Sequence, residues 1–269
     1  MRFALVNNER TEAKHKLNGI CPACYQPVIP KCGTLKIHHW AHSSKKSCDS
    51  WWETETEWHR TWKNNFPEDW QEFVLFDENT GEKHIADVRN KYGLVVEFQH
   101  SYLDVQERIS RENFYKNMVW VVDGTRLKGD YPRFVKERKY FKQIEKNCYF
   151  FVNHPEKCFP VAWTESSVPV IFDFQETILV ESALQNNLWC LLVGRNDGRA
   201  VVVAIPHKSF IYAANVCSSL LPDCNTVLAR MQSCREQLEQ ERLQNEQIRK
   251  ECELAYRMRK GYNKHKHRW

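Results

Sequence analysis

The sequence predicts an α/β fold, in which helices flank a mixed β-sheet and a small Cys/His-rich head and a charged C-terminal helix are attached to it. Three observations predict it. Residues 1–50 concentrate cysteine and histidine, residues 51–225 alternate helical and strand patterns, and residues 226–269 carry a long, highly charged helical pattern. We therefore predict three regions with these boundaries: a Cys/His head, an α/β domain with extra strands, and a charged helix with a basic tail.

The first predicted helix covers residues 53–66. Trp58, Trp62 and Phe66 recur every four residues and would form one apolar stripe, and Pro67 marks the end of the helix. Large apolar side chains at helical spacing are typical of a core, so we expect both tryptophans to be core residues.

The predicted sheet begins with two strands, at 71–76 and 84–89, separated by turn residues at 79–81. The mostly apolar run 94–99 is expected to form a third strand in a central position. Short turns indicate antiparallel neighbours, whereas a crossover helix indicates that the strand after it is parallel. The later predicted elements are a helix over about 104–116 opened by a capping box, a strand over 119–122, a helix over 136–146, strands over 168–174, 189–193 and 200–205, and a helix over 225–260.

Composition excludes several classes of protein. The chain has 269 residues, of which 42% are hydrophobic and 27% charged, and its mean hydropathy is −0.64. These values exclude a collagen-like or wholly disordered chain, and no run approaches the ~18 apolar residues that would span a bilayer. Because the first ten residues contain no apolar signal core, we expect a cytoplasmic protein. The excess of 39 Lys and Arg over 34 Asp and Glu is compatible with a polyanionic partner.

The Cys/His head has the spacing of a metal site. Eleven cysteines in a chain without an export signal favour thiols or metal ligands over disulfides. Tetrahedral zinc needs four nitrogen or sulfur ligands, and a C-x-x-C turn supplies two of them. We predict a structural zinc site, because a small head needs a metal to hold it together. The predicted ligands are Cys21, Cys24, His42 and Cys48, with His39 as the main substitute for one of them.

The alternative is that Cys21 and Cys24 form a redox pair or are incidental. A thioredoxin-like pair would need a βαβ context, which the sequence does not indicate here. Cys32 is a less favoured ligand, and the cysteines from Cys148 onward lack metal-site spacing, so we interpret them as ordinary thiols.

Two carboxylates stand out in the predicted sheet. Side chains alternate along a strand, so Glu97 and Gln99 share a face, and in a hairpin Asp87 would meet Glu97. A charge within an apolar strand is costly unless it is paired or bound to a metal. Two carboxylates that converge form a hard oxygen site suited to Mg²⁺ or Mn²⁺. Gln99 is neutral and cannot be a general base, but it could orient water or phosphate by hydrogen bonding.

The simpler alternative for Glu97 is a salt bridge to Arg89 or Arg108. The Asp87 partner and the flanking helices favour the metal site over that interpretation.

Polar residues of the two flanking helices could complete the site. Glu53 and Glu57 are spaced four apart, and one of them, preferably Glu57, could add a third carboxylate. His59 and Lys63 form a second pair at the same spacing. The alternative for such helical charges is a solvated surface. The candidate phosphate contacts are Lys63 on the first helix and Arg108, Arg111 and Tyr115 on the second.

These motifs together resemble the CoiA-like competence protein family, which carries a nuclease-like domain of the PD-(D/E)xK type. The resemblance covers residues 20–125 well and 160–210 with lower specificity. Its matching stretches are Cys21-x-x-Cys24, His39-Trp40-Ala41-His42, Cys48-Asp49, Glu57-Trp58-His59, Trp62-Lys63, Ala86-Asp87, Glu97-Phe98-Gln99-His100-Ser101, Arg111, Phe114-Tyr115 and Val119-Trp120-Val121-Val122.

The resemblance implies a restriction-endonuclease-like fold and metal-dependent cleavage of DNA. It implies that Asp87 and Glu97 are the acidic pair and Glu57 the helix carboxylate. The wider superfamily has Lys where this chain has Gln99. Members of the family are associated with handling of incoming DNA during transformation.

The sequence thus predicts a deoxyribonuclease that uses Mg²⁺ or Mn²⁺ for cleavage and Zn²⁺ for structure, with Asp87, Glu97, Gln99 and Glu57 as its catalytic residues. Its basic tail would add salt-sensitive affinity for DNA. The alternative is a non-catalytic DNA-binding recombination accessory protein on a nuclease scaffold. A third hypothesis is an assembly subunit that binds a second copy or another protein through residues 226–260.

Overall fold

The chain divides into two compact units, Met1–Cys224 and Asn225–Trp269. The division of the first unit into a head and an α/β domain stays a prediction. The computed structural model describes residues 1–43, 48–78, 80–144, 148–175 and 187–266.

A small antiparallel sheet forms the N-terminal part of the first unit. Its five strands have the order β2-β1-β3-β4-β5. Trp40 belongs to the hydrophobic core of this part of the chain and is 1% exposed. Gly19 allows two strands to approach closely, because a Cβ there would lie 2.9 Å from the Cβ of Ala4. The strands are β1 (Phe3–Val6), β2 (Glu9–Glu12), β3 (Gly19–Ile20), β4 (Pro27–Lys31) and β5 (His39–His42).

The large sheet has nine strands in the order β10-β11-β14-β13-β12-β9-β8-β7-β6. β8 pairs with β9 in parallel, and so does β9 with β12, while the other neighbours are antiparallel. The predicted mixed sheet is confirmed. The strands are β6 (Gln71–Phe76), β7 (Lys83–Arg89), β8 (Val95–Gln99), β9 (Met118–Asp123), β10 (Lys142–Gln143), β11 (Tyr149–Val152), β12 (Val170–Asp173), β13 (Asn187–Leu191) and β14 (Ala200–Pro206).

Helices of the first unit connect the parallel strands of the large sheet. The helix between β8 and β9 makes the crossover that the sequence predicted. The helices are α1 (Glu57–Lys63), α2 (Val105–Tyr115), α3 (Asp130–Arg138), α4 (Pro155–Cys158), α5 (Val161–Thr164), α6 (His207–Val216) and α7 (Cys224–Lys266).

Two predicted helices differ in position or length from the observed ones, since α1 covers Glu57–Lys63 rather than 53–66 and α3 is displaced. The first helix begins at Glu57 rather than at residue 53, because the Thr56 side chain accepts a hydrogen bond from the His59 N–H and caps the helix there. The helix expected over 136–146 lies earlier, at Asp130–Arg138, and β10 follows it. Residues 142–143 form a strand because they pair with β11. The spacing of apolar residues along the chain does not predict this pairing between strands.

Some predicted features lie partly outside the described residues. These are Asn79 of the predicted turn, residues 145–146 of the predicted helix and residues 267–269 of the basic tail. Gly81, at the other end of that turn, has a φ of +73°, a conformation that glycine adopts at little cost.

The main core lies around the central strands of the large sheet. Trp120, Phe172 and Trp189 are each at most 1% exposed and pack with Phe134 of α3. β8 is buried along its whole length, as expected for a central strand. This core fixes the position of β7 and β8, which carry the candidate acidic pair.

The C-terminal unit is the single long helix α7. From Leu238 onward, its described apolar side chains are sparse and exposed, among them Leu238 and Ile248. Within the described part of the chain, no helix combines the length and the apolar character needed to cross a bilayer.

Candidate functional site

The Cys/His head brings four of its predicted ligands together. The ligand atoms of Cys21, Cys24, His42 and Cys48 all lie within 4.8 Å of one another. The Sγ atoms of Cys21 and Cys48 are 3.7 Å apart, and Cys24 Sγ is 3.3 Å from His42 Nε2. Three sulfurs and one imidazole in this space are a ligand set typical of structural zinc. The Cys₃His cluster, as we call these four residues, could therefore hold a metal such as zinc.

Strand geometry selects His42 rather than His39. Both histidines lie on β5, but they are three residues apart and so point to opposite faces of the strand. His42 shares the face of buried Trp40 and reaches the thiols. His39 Nδ1 instead lies 2.9 Å from the carbonyl oxygen of Ile37. Cys32 packs against the small core and is outside the cluster.

The electrostatics of the Cys₃His cluster favour a bound cation. Burial, and then the neighbouring Cys21, raise the pKa of the Cys48 thiol. Burial also raises the pKa of Cys21 and lowers that of His42. Burial disfavours the ionised thiolates. A bound metal cation would favour them instead, because its positive charge offsets their negative charge.

Asp87 and Glu97 meet across the β7–β8 hairpin. Val88 pairs with Val96 and Arg89 with Val95, which places Asp87 opposite Glu97. The Asp87 N–H donates to Glu97 Oε1 at 3.0 Å, and the Phe98 N–H donates to Asp87 Oδ2 at 3.0 Å. Each carboxylate thus takes the place of a main-chain carbonyl in the ladder, and the two side chains converge at one point.

The two carboxylates line a narrow cavity of about 70 Å³. Carboxylates predominate among its charged side chains, so the cavity carries an excess of negative charge. We call it the acidic cavity. Its described charged side chains are six carboxylates, Asp49, Glu53, Glu55, Glu72, Asp87 and Glu97, and two cations, Lys63 and Arg111.

Lys63 is held inside the acidic cavity by carboxylates. Its side chain is 3% exposed, and its Nζ lies 2.8 Å from Glu55, 3.5 Å from Glu72 and 3.6 Å from Asp87. Burial lowers the pKa of Lys63, but the surrounding carboxylates outweigh burial and raise it overall. Burial raises the pKa of Glu55, but the ion pairs with Lys63 and Arg60 lower it to about 2. These residues are therefore charged at neutral pH.

Glu97 is less well compensated. The nearest cation is Arg111, whose Nη1 lies 3.5 Å from Glu97 Oε2. Burial, and then the Asp87 carboxylate, raise the pKa of Glu97 to about 8, although Arg111 opposes the shift. The partner of Glu97 is Arg111 rather than Arg89 or Arg108. A further positive charge beside Asp87 and Glu97 would favour the ionised form of Glu97.

The additional carboxylates of the acidic cavity come from the residues just before the first helix and not from the helix itself. Glu57 is exposed on α1 and is not among the residues that line the acidic cavity. Glu53 and Glu55, which precede the helix, line it instead. The preference for Glu57 over Glu53 is corrected here, because the helix starts later than its apolar spacing indicated.

Gln99 is buried and its amide nitrogen is occupied. It donates to Glu53 Oε1 at 2.5 Å and to the hydroxyl of Ser101 at 3.1 Å. Gln99 therefore orients Glu53, which differs from the predicted contact with water or phosphate.

Of the four candidate phosphate contacts, three line the acidic cavity and one lies elsewhere. Lys63, Arg111 and Tyr115 line the acidic cavity. Arg108 lies elsewhere, 3% exposed, where it donates to Glu112 at 2.5 Å and to the carbonyl oxygen of Glu165. We therefore correct the prediction for Arg108, because its guanidinium is enclosed by an internal ion pair.

Sequence reasoning missed three carboxylates of the acidic cavity, namely Glu55, which precedes α1, and Glu72 and Asp49. Glu72 lies opposite Asp87 in the β6–β7 register, and its carboxylate accepts from the backbone N–H groups of Arg2 and Phe3. Asp49 directly follows Cys48, and that adjacency was the one available signal for it. The position of Glu72 depends on strand register and was therefore hidden in the sequence.

The predicted core tryptophans also anchor α1 to the sheet. The indole N–H groups of Trp58 and Trp62 both donate to Asp173 Oδ2 at 3.0 Å. Trp62 is 2% exposed, whereas Trp58 is half-buried. This anchor places Lys63, one residue further along α1, in the acidic cavity.

Comparison with known proteins identifies the N-terminal part of the chain. Residues 5–50 match the family model described as the N-terminal domain of competence protein CoiA. No curated protein and no solved structure matches the chain significantly. The matched residues contain the complete Cys₃His cluster. The match confirms the resemblance to the CoiA-like competence protein family and suggests a competence-related function.

Proposed function

We propose that this protein is a divalent-metal-dependent deoxyribonuclease that hydrolyses DNA phosphodiester bonds. The observation that carries the proposal is the convergence of Asp87 and Glu97 in the acidic cavity, where Glu97 is buried and incompletely compensated. Competence involves the handling of DNA, so this substrate agrees with the family match.

Asp87 and Glu97 are the residues that would hold Mg²⁺ or Mn²⁺. Carboxylate oxygens are the ligands that these ions prefer. Among the described residues, the acidic side chains do not form a compact three-ligand group like the Cys₃His cluster. When bound, such a cation offsets charge on a phosphoryl oxygen and lowers the pKa of water.

The other residues of the acidic cavity would hold the acidic pair in place. Arg111 contacts Glu97 and Glu53, and Lys63 contacts Asp87. Gln99 orients Glu53 through its amide. Their charges and hydrogen bonds pre-organise the carboxylates, which is the main protein contribution to phosphoryl-transfer sites.

One observation favours a second candidate, a non-catalytic DNA-binding accessory protein. Gln99 occupies the place of the usual lysine, and its amide is engaged by Glu53. In that case the acidic pair is a remnant on a nuclease scaffold, and DNA binding is the function.

A cleavage assay separates the two candidates. Linear and circular DNA are incubated with the purified chain in EDTA, Mg²⁺ or Mn²⁺, beside the variants Asp87→Asn and Glu97→Gln. We expect metal-dependent cleavage that falls at least about 100-fold in both variants, since they lose an ionised carboxylate while keeping its shape.

Glu57→Gln is the matched control, because it neutralises an exposed carboxylate outside the acidic cavity. It should cleave at the wild-type rate. Wild-type protein that binds DNA but never cuts it would establish the accessory function. Cleavage by Asp87→Asn and Glu97→Gln at the wild-type rate would refute this assignment of the site.

A further inference from the structure

A short segment, residues 48–55, runs from the Cys₃His cluster to the acidic cavity. Its first residue, Cys48, belongs to the cluster. Four of its later residues bond to the lining of the acidic cavity or to the strands that form it: Asp49, Trp51, Glu53 and Glu55. We call this segment the connecting segment.

Asp49 ties the start of the connecting segment to β7. It is 6% exposed, and its Oδ2 accepts from the Ile85 N–H at 2.8 Å. Its Oδ1 lies 2.8 Å from His84 Nδ1 and accepts from the Trp51 N–H at 2.9 Å. Ile85 is two residues before Asp87 on the same strand, so Asp49 fixes the part of β7 that presents Asp87.

Trp51 and Glu53 extend the connection to Glu97. The Trp51 ring stacks on His84 with centroids 3.2 Å apart, and its carbonyl oxygen accepts from Arg111 at 2.9 Å. Glu53 lies 3.6 Å from Arg111. Arg111 is the cation nearest to Glu97, so the connecting segment also sets the position of that contact.

We propose that the connecting segment couples the Cys₃His cluster to the acidic cavity, with Asp49 as the positioning residue. A metal ion in the cluster holds Cys48, and Cys48 holds Asp49 beside β7. Occupancy of the cluster therefore raises the affinity of Asp87 and Glu97 for a divalent cation. Such coupling is reciprocal, so Mn²⁺ in the acidic cavity raises zinc affinity in the cluster by the same factor. The inference rests on the cation site of the proposed function.

Mn²⁺ binding tests the coupling without any measurement of cleavage. Free Mn²⁺ is quantified by electron paramagnetic resonance during titration of the full chain, and the binding that disappears in Glu97→Gln is assigned to the acidic cavity. We compare zinc-loaded wild type with Cys24→Ser, whose zinc content is measured in parallel. We expect cavity affinity to fall by about 5- to 150-fold in Cys24→Ser, the usual range for coupled sites.

Cys32→Ser is the matched control, because Cys32 packs against the same small core but lies outside the Cys₃His cluster. It should retain wild-type affinity for Mn²⁺. If Cys24→Ser fails to fold, Asp49→Ala decides, since it leaves all four ligands in place. We expect Asp49→Ala to keep zinc and to bind Mn²⁺ at least about 5-fold more weakly, with Asp49→Asn intermediate because it retains one acceptor.

Equal Mn²⁺ affinity in wild type and Asp49→Ala would overturn the coupling and leave the proposed function intact. Wild-type protein without any Mn²⁺ binding that depends on Glu97 would overturn both. Support for the coupling requires that removal of zinc weaken Mn²⁺ binding in wild type but cause no further loss in Asp49→Ala, because loss of the Asp49 charge alone would leave the effect of zinc unchanged.

Discussion

The Cys₃His cluster and the acidic cavity solve the same electrostatic problem in different ways. Both gather groups that repel one another when ionised. The cluster thiols contact other sulfurs, one imidazole and the backbone N–H groups of Ala23 and Cys24, and a bound metal would offset the charge of their ionised forms. The acidic cavity contains its own cations, Lys63 and Arg111. The comparison leads us to expect that the cluster depends on a bound metal for its stability, whereas the acidic cavity, with its own cations, forms before it binds a divalent ion.

Removal of the cluster metal should have the largest effect on the stability of the protein. We expect Cys21→Ser to lose its zinc and to reduce the free energy of unfolding by about 5 kcal/mol, because the binding energy of a structural zinc is folding energy. Urea denaturation with metal analysis measures both. Cys32→Ser should stay within about 1 kcal/mol of wild type. A zinc-free wild type of unchanged stability would refute the structural role of the cluster.

Removal of the buried lysine tests the acidic cavity in the same way. Lys63→Met leaves Glu55, Glu72 and Asp87 without their shared cation, and we expect a loss of about 3–5 kcal/mol in the free energy of unfolding. Divalent ions should restore part of this loss. Lys136→Met, on the exposed surface of α3, is the control and should change stability by less than about 0.5 kcal/mol. A stable Lys63→Met variant would show that the cavity does not depend on its own cation.

A smaller effect follows from pH. Burial, and then Asp87, raise the pKa of Glu97 to about 8, while an unfolded Glu titrates near about 4.3. The folded state thus keeps a proton that the unfolded chain releases, so this contribution to stability is complete below about pH 4.3 and is lost as the pH rises to about 8.

Urea midpoints measured across that range should decline in the wild-type protein without divalent ions. In Glu97→Gln the part of the decline due to this residue should disappear, whereas Glu57→Gln should keep it. The same slope in Glu97→Gln and wild type would show that Glu97 is ionised throughout. Mn²⁺ binding should strengthen as the pH rises through this range, because the ion displaces the proton.

Local rules predicted much of the fold. Strand alternation and short turns placed Asp87 opposite Glu97, and the crossover helix indicated that β9 is parallel to β8. The same rules failed at the helix expected over 136–146, because pairing between β10 and β11 overrides helical spacing. They also placed the start of α1 too early, because the apolar stripe, which begins at Trp58, does not define the first residue of the helix, whereas the cap at Thr56 does.

By itself, the sequence determined the spacing of Cys21 and Cys24 and the alternation that turns Glu97 and Gln99 to one face. Both follow from geometry over a few residues. Only the tertiary structure decided that His42 rather than His39 joins the thiols, that Glu53 and Glu55 reach the acidic cavity, and that Arg108 is enclosed. Those outcomes depend on which elements pack together, since burial and charge compensation come from residues distant in the chain.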